Sequence, residues 1–160
     1  MVSPSDPGKE MDQITLRRAA APDMEAILKL QVAVFEGEQG IPGELVCSPG
    51  DHFLQWWCAL EGDSVVGAVA AWKEGEQVHW GRFAVGKMRR GRGIGTKLAV
   101  YSLEDLFSRG FEEIYMEARE VTVAIICHLG GRVVGKPVPF YKGTVTPVRL
   151  HRDDYCCFPG

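Results

Sequence analysis

With 160 residues, 46% of them hydrophobic and 24% charged, the chain can build one domain around a substantial core, and its composition is not that of a disordered or fibrous protein. A formal net charge of −3 argues against a nucleic-acid surface, and no run of about 20 apolar residues offers a membrane-spanning helix. The five cysteines (Cys47, Cys58, Cys127, Cys156, Cys157) are odd in number and lack paired C-x-x-C spacing, which fits a reduced, cytoplasmic protein.

In chain order, residues 1–12 have no apolar core of the signal-peptide kind and read as a flexible leader. Gln13 to Arg17 alternates as a half-buried strand does. Pro22 and Asp23 open a helix whose apolar stripe is Met24, Ile27, Leu28, Val34 and Phe35, with Gln31 as a polar gap. Residues 36–50 are punctuated by glycine and proline and read as a loop. Gln55 to Leu60, Val65 to Trp72 and Gln77 to Val85 are apolar runs separated by Glu61-Gly62-Asp63-Ser64 and Glu74-Gly75-Glu76, which predicts a three-strand antiparallel meander. Trp56 and Trp57 read as packing residues of its first strand. A helical pattern then runs to Gly110, followed by a short strand at Glu113 to Glu117. Strand, crossover helix and strand of this length imply a parallel pair. Val121 to Leu129 reads as another helix, stopped by Gly130-Gly131. Arg132 to Val134 and Val145 to Leu150 read as a last strand pair, joined by a proline-rich connector, and 153–160 as a tail. The fold class is α/β, one mixed-sheet domain over 13–152.

The most informative stretch joins the meander to its helix: Phe83, Ala84 and Val85, then a turn holding Arg90, Gly91, Arg92, Gly93, Ile94, Gly95 and Thr96. Glycines at 91, 93 and 95 let the backbone turn tightly and approach a ligand. The first helical turn adds unpaired N–H groups and the positive end of its dipole. Lys87, Arg89, Arg90, Arg92 and Lys97 surround the turn with cations in an otherwise acidic chain. Together these predict a phosphate-bearing ligand. Gly95-Thr96-Lys97 reverses the Lys-Thr order of a P-loop, and G-x-G-x-G is not the G-x-G-x-x-G of a dinucleotide site.

The pattern R-x-x-G-x-G, met by Arg90, Gly93 and Gly95 between a strand and a long helix, resembles the GNAT superfamily of acetyl-CoA-dependent N-acetyltransferases. Phe35 with Glu38-Gln39-Gly40-Ile41-Pro42, and Ala118-Arg119-Glu120-Val121 leading to Leu129-Gly130, are similar to strings of a bacterial branch of that family. The resemblance implies a central, mostly antiparallel twisted sheet flanked by helices, with a splayed strand pair forming the coenzyme A cleft. It implies acetyl transfer from acetyl-CoA to a primary amine of a small molecule or protein, and a homodimer as one assembly state. Phe83, Ala84 and Val85 would hold the pantetheine arm and residues 90–96 the pyrophosphate. Ile126 and Gly131 stand where tyrosine and phenylalanine are usual in the family. A catalytically impaired acyl-CoA-binding module is therefore the rival expectation.

The candidate bases are Glu38, His79 and Glu117. Glu117 closes a strand beside the expected cleft, where open α/β sheets bind ligands. His79 and Phe83 would share a strand face at period-two spacing. Arg82 has packing or a strand-edge ion pair as its expected use. Cys127 and Tyr141 are the candidate acids for the leaving thiolate. His52, His79, His128 and His151 have no spacing with cysteine or acid that would hold a metal, so none is expected.

Overall fold

A computed structural model of the chain describes residues 13–41 and 53–156. The expected leader, residues 42–50 of the expected loop, and the end of the tail lie outside the described residues. Along the chain come β1 (Ile14–Arg18), α1 (Met24–Gln31), a wide π-helical segment (Val32–Glu38), β2 (Phe53–Glu61), β3 (Ser64–Glu74) and β4 (Gln77–Val85). They are followed by α2 (Ile94–Ser108), β5 (Glu113–Ala118), α3 (Glu120–His128), β6 (Arg132–Val133), β7 (Val138–Phe140) and β8 (Gly143–His151).

The strands form a sheet in the order β1-β2-β3-β4-β5-β8-β6, with β7 paired to β8. All pairs are antiparallel except β4 with β5. That parallel pair is short: only Val78 with Ile114 and His79 with Tyr115 are in register. Beyond them the two strands part, and the gap they leave is the cleft. The mixed sheet, the meander and the crossover helix are as the sequence predicts.

Three local readings change. The first helix does not give way to loop at residue 36, because it widens into π turns through Glu38, with Gln39 N–H donating to Val34 O at 3.1 Å. Such widening is frequent at functional sites. The proline-rich connector contains a strand, since Val138 to Phe140 pairs with Val145 to Gly143 as a tight hairpin. The expected tail is docked at its start: Cys156 N–H donates to Leu129 O at 2.8 Å, and Tyr155 packs beside Phe107.

Two buried layers hold the sheet. On one face α2 and α3 cover Trp57, Val69, Trp80, Ile114 and Met116. On the other, Ile27 of α1 packs against Cys58, Leu60 and Ala68. The neighbours Trp57 and Cys58 thus enter opposite layers, the period-two rule of a strand buried on both faces. Both deeply buried indoles hand their N–H to α2, Trp80 Nε1 to Ser102 Oγ at 2.9 Å and Trp57 Nε1 to Asp105 Oδ2 at 2.8 Å. These two bonds fix the rotation of α2, whose N-terminus carries the glycine turn.

Asp105 also takes two bonds from Arg18 of β1, at 2.8 and 2.6 Å. Those bonds from Arg18 hold the Asp105 carboxyl below its usual range, against the opposing effect of burial. A depressed folded-state pKa means stabilisation that is complete above the unfolded value, about 3.9, and lost as pH falls through the folded one. Asp105→Asn should therefore lower stability at neutral pH by about 1 to 2 kcal/mol. It should also flatten the fall in stability below about pH 4, as read by urea unfolding across pH.

Candidate active site

The sheet parts where β4 carries one residue too many. Ala68 and Ala70 of β3 pair with Ala84 and Gly81, so three steps on β4 face two on β3. The surplus is taken up at Arg82, which has φ of 57°. A bulge of this kind bends its strand and re-aims the side chains after it. Here it reverses the alternation. His79 and Phe83 do not share a face: Phe83 packs with Trp80 on the α2 side, ring centroids 5.1 Å apart, while His79 turns the other way between Trp72 and Tyr115. Gln31, fully buried on α1, donates from Nε2 to the Arg82 carbonyl at 2.8 Å. The polar gap in the first helix is thus the group that satisfies the bulge.

Beside the bulge runs a cleft of about 440 Å³, walled by Phe83, Ala84 and Val85, by the glycine turn, and by Val121, Thr122 and Ile125 of α3. The β4 edge facing β5 has no strand partner beyond His79, so backbone groups are available to an extended ligand. Gly91 and Gly93 have φ of 82° and 79°, and a Cβ at either would meet open space. Gly95 lies tight on the sheet, where a Cβ would stand 3.2 Å from the Phe83 ring. The turn therefore offers bare backbone at the start of a 15-residue helix, a fit for a pyrophosphate.

The arginines around this turn are less free than the sequence implies. Arg89 and Arg92 both bind Glu61 at the end of β2, and the Arg92 bond, followed by that of Arg89, lowers the Glu61 pKa. Arg90 reaches back to the π segment, its two terminal nitrogens 2.7 and 3.0 Å from the Glu38 carboxylate and its Nε 3.0 Å from Val85 O. Glu38 is thereby an arginine partner that ties the π segment to the turn. Thr96 and Ile94 also line the cleft, while Arg92 turns its side chain away to Glu61.

A small neck of about 110 Å³ continues the cleft past Phe83, Met116 and Glu117 to an outer pocket of about 510 Å³. Arg119 borders both the cleft and the neck, its Nε 2.9 Å from Gln39 Oε1 and its Nη1 2.8 Å from Phe140 O. Its buried Nη2 has no hydrogen-bond partner among the described residues, and burial lowers the guanidinium pKa. Glu117, exposed at the end of β5, borders both the neck and the outer pocket and accepts a bond from Tyr115 O–H at 3.3 Å.

Two expected acids are not brought to this site. Cys127 is exposed on α3 and lines neither cleft nor pocket, and Tyr141 is half exposed in the β7–β8 turn, edge-on to Phe140. Ile126 is fully buried in the core, so it is Ile125 and Thr122 that α3 presents to the cleft. No cluster of histidine, cysteine or acid suited to a metal ion occurs among the described residues. No helix among them is long and apolar enough to cross a membrane.

The family model for the acetyltransferase (GNAT) family matches residues 24–128, from α1 through the glycine turn to the end of α3. The chain belongs to the GNAT family. No curated protein sequence matches it closely. Solved structures share the fold. Escherichia coli ElaA superposes with a TM-score of 0.75 at 21% identity, over 86% of this chain and 99% of its own. An acyl-CoA N-acyltransferase from Pseudomonas aeruginosa gives 0.71 at 20% identity, over 86% and 97%. The PaiA N-acetyltransferase of Thermoplasma acidophilum, solved in complex with coenzyme A, gives 0.67 at 12% identity, over 87% and 99%. As a GNAT protein, the chain comes from a family that uses acyl-CoA and acetylates amine acceptors.

Proposed function

We propose that this protein is an N-acetyltransferase that moves an acetyl group from acetyl-CoA to a primary amine. The observation that carries the reading is the continuity of three spaces: a cleft beside a bare-backbone phosphate turn, a neck past the free edge of β4, and an outer pocket for an acceptor. Acetyl-CoA, when bound, supplies the acyl group as a thioester. Amides of residues 90–96 would hold its pyrophosphate, with Arg90 close by, and Phe83 and Val85 would align its arm along β4. A backbone N–H beside the bulge would stabilise the developing oxyanion, a contact worth about 3 to 4 kcal/mol in comparable sites. Glu117, at the neck, would take the proton of the attacking amine, directly or through one water.

The rival is an acyl-CoA-binding module without turnover. It is favoured by one observation, that α3 offers the cleft Val121, Thr122 and Ile125 and no ionisable side chain. Titration calorimetry with acetyl-CoA, followed by thiol release over a panel of primary amines, separates the two. The transferase reading expects binding and amine-dependent thiol release above the hydrolysis rate. Binding without release on any amine would assign the rival.

A further inference from the structure

The bulge at Arg82 is held by a side chain from a distant element, and that side chain is out of keeping with its surroundings. Gln31 has no exposed surface, and its neighbours on the buried stripe of the first helix are Ile27 and Val34. An apolar residue would suit the place better, since Gln31 Oε1 is buried with no hydrogen-bond partner among the described residues. The other end of the amide, Nε2, donates to the Arg82 carbonyl at 2.8 Å. A carbonyl only accepts, so this contact settles which way the amide points. Arg82 itself is a non-glycine residue at φ of 57°, a conformation that persists only where the surroundings over-determine it. The bond from Gln31 is one such constraint.

The held carbonyl fixes the direction of its own peptide plane. The peptide between Arg82 and Phe83 is trans, so its N–H points opposite to its C=O. With the oxygen drawn to Gln31, the Phe83 N–H is aimed away from α1. Neither Arg82 nor Phe83 has a register partner on β3, and β5 is in register with β4 only at Val78 and His79. Phe83 borders both the cleft and the neck, so a thioester aligned along β4 would pass it. We infer that Gln31 is a positioning residue: by fixing the Arg82 carbonyl it sets the Phe83 N–H as the donor to the thioester carbonyl oxygen. Gln31 itself lines neither cleft, neck nor outer pocket. When the amine attacks, the new C–N bond pushes the carbonyl π electrons onto that oxygen, and Glu117 takes the amine proton. The charge returns as the C–S bond breaks and coenzyme A leaves as a thiolate, which solvent protonates. A donor of fixed direction acts most on the charged oxygen, so it speeds the reaction without tightening the binding of coenzyme A. The inference rests on the transferase reading for the identity of the ligand.

The test is the infrared band of the thioester carbonyl of acetyl-CoA isotope-labelled at that carbon, read free and bound in the absence of any amine. Coenzyme A affinity by calorimetry and kcat for amine-dependent thiol release accompany it. In the unsubstituted protein the bound band should lie below the free one, because an accepted hydrogen bond weakens C=O. Gln31→Leu keeps the burial but offers the Arg82 carbonyl no donor. Its bound band should return toward the free position and its kcat should fall about tenfold to a hundredfold, with coenzyme A affinity unchanged within about twofold. A residue that only packed the helix would change the melting temperature and leave the bound band in place. Gln31→Met, more pliant, carries the same expectations should Gln31→Leu not fold. An unshifted band in the unsubstituted protein, or a native band in the folded variant, would overturn the inference and leave the transferase reading standing. Loss of coenzyme A affinity in step with kcat would also overturn it, since Gln31 would then hold the cleft as a whole. An unsubstituted protein that bound no coenzyme A would instead overturn the transferase reading, and this inference with it.

Discussion

Gly93→Glu is expected to abolish coenzyme A binding while leaving the protein folded. Gly93 sits at φ of 79°, a left-handed conformation that costs an L-residue roughly 1 to 2 kcal/mol. A Cβ there meets nothing within 4 Å, so the strain is conformational and the fold has no clash to absorb. The added carboxylate, however, would stand at the cap of α2, on a residue that lines the cleft proposed for the pyrophosphate. The strain falls on folding stability, while repulsion and occlusion by the carboxylate should weaken binding by about 3 kcal/mol or more, which is over a hundredfold. In a thermal melt, saturating coenzyme A should stabilise the unsubstituted protein by about 2.7 kcal/mol at a hundred times its dissociation constant. The same concentration should leave Gly93→Glu unmoved. A melt of Gly93→Glu that still rises with coenzyme A would place the phosphate elsewhere, and the turn would lose its assigned role.

Glu117→Gln should lower kcat by about a hundredfold to a thousandfold, the usual contribution of a positioned base. Its carboxylate borders the neck and the outer pocket but not the cleft, so coenzyme A affinity should not change. The acidic limb of the kcat/KM profile should disappear with it, because that limb reports the protonation of the free enzyme's base. Glu38→Gln is the informative contrast. Glu38 spends both oxygens on Arg90, so its loss should act on the KM for acetyl-CoA and leave the acidic limb in place. If instead Glu38→Gln removed the limb and Glu117→Gln kept it, the two roles would have to be exchanged.

Some of this site was legible in the amino-acid sequence because its causes are local. A turn with glycines at 91, 93 and 95 between an apolar run and a helical one needs no distant partner to present bare backbone at the start of a helix. The meander, read from residue 55 to 85, was readable for the same reason: turn residues and apolar runs alternate over short distances, and antiparallel pairing follows. The parallel β4–β5 pair followed from the length of the crossover between them.

What the tertiary structure decided depended on partners far away in the chain. The period-two rule put His79 and Phe83 on one face, and it failed because one extra residue at Arg82 reverses the alternation. That bulge is held by Gln31, 51 positions earlier, whose meaning could not be read from a helix considered alone. Arg89, Arg90 and Arg92 looked like one cationic cluster, yet their charges are met by Glu61 and Glu38, brought close only by folding. The family resemblance sets Ile126 where tyrosine is usual, but the rotation of α3 buries it and presents Ile125 to the cleft. The sequence alone therefore determined the family pattern, the sheet and the glycine turn, since hydrogen bonding and chain geometry within a few residues dictate them. Which side chains face the cleft, which charges are already met and which residues line the outer pocket were determined by long-range packing, where a single inserted residue or a small rotation of a helix changes every contact that follows.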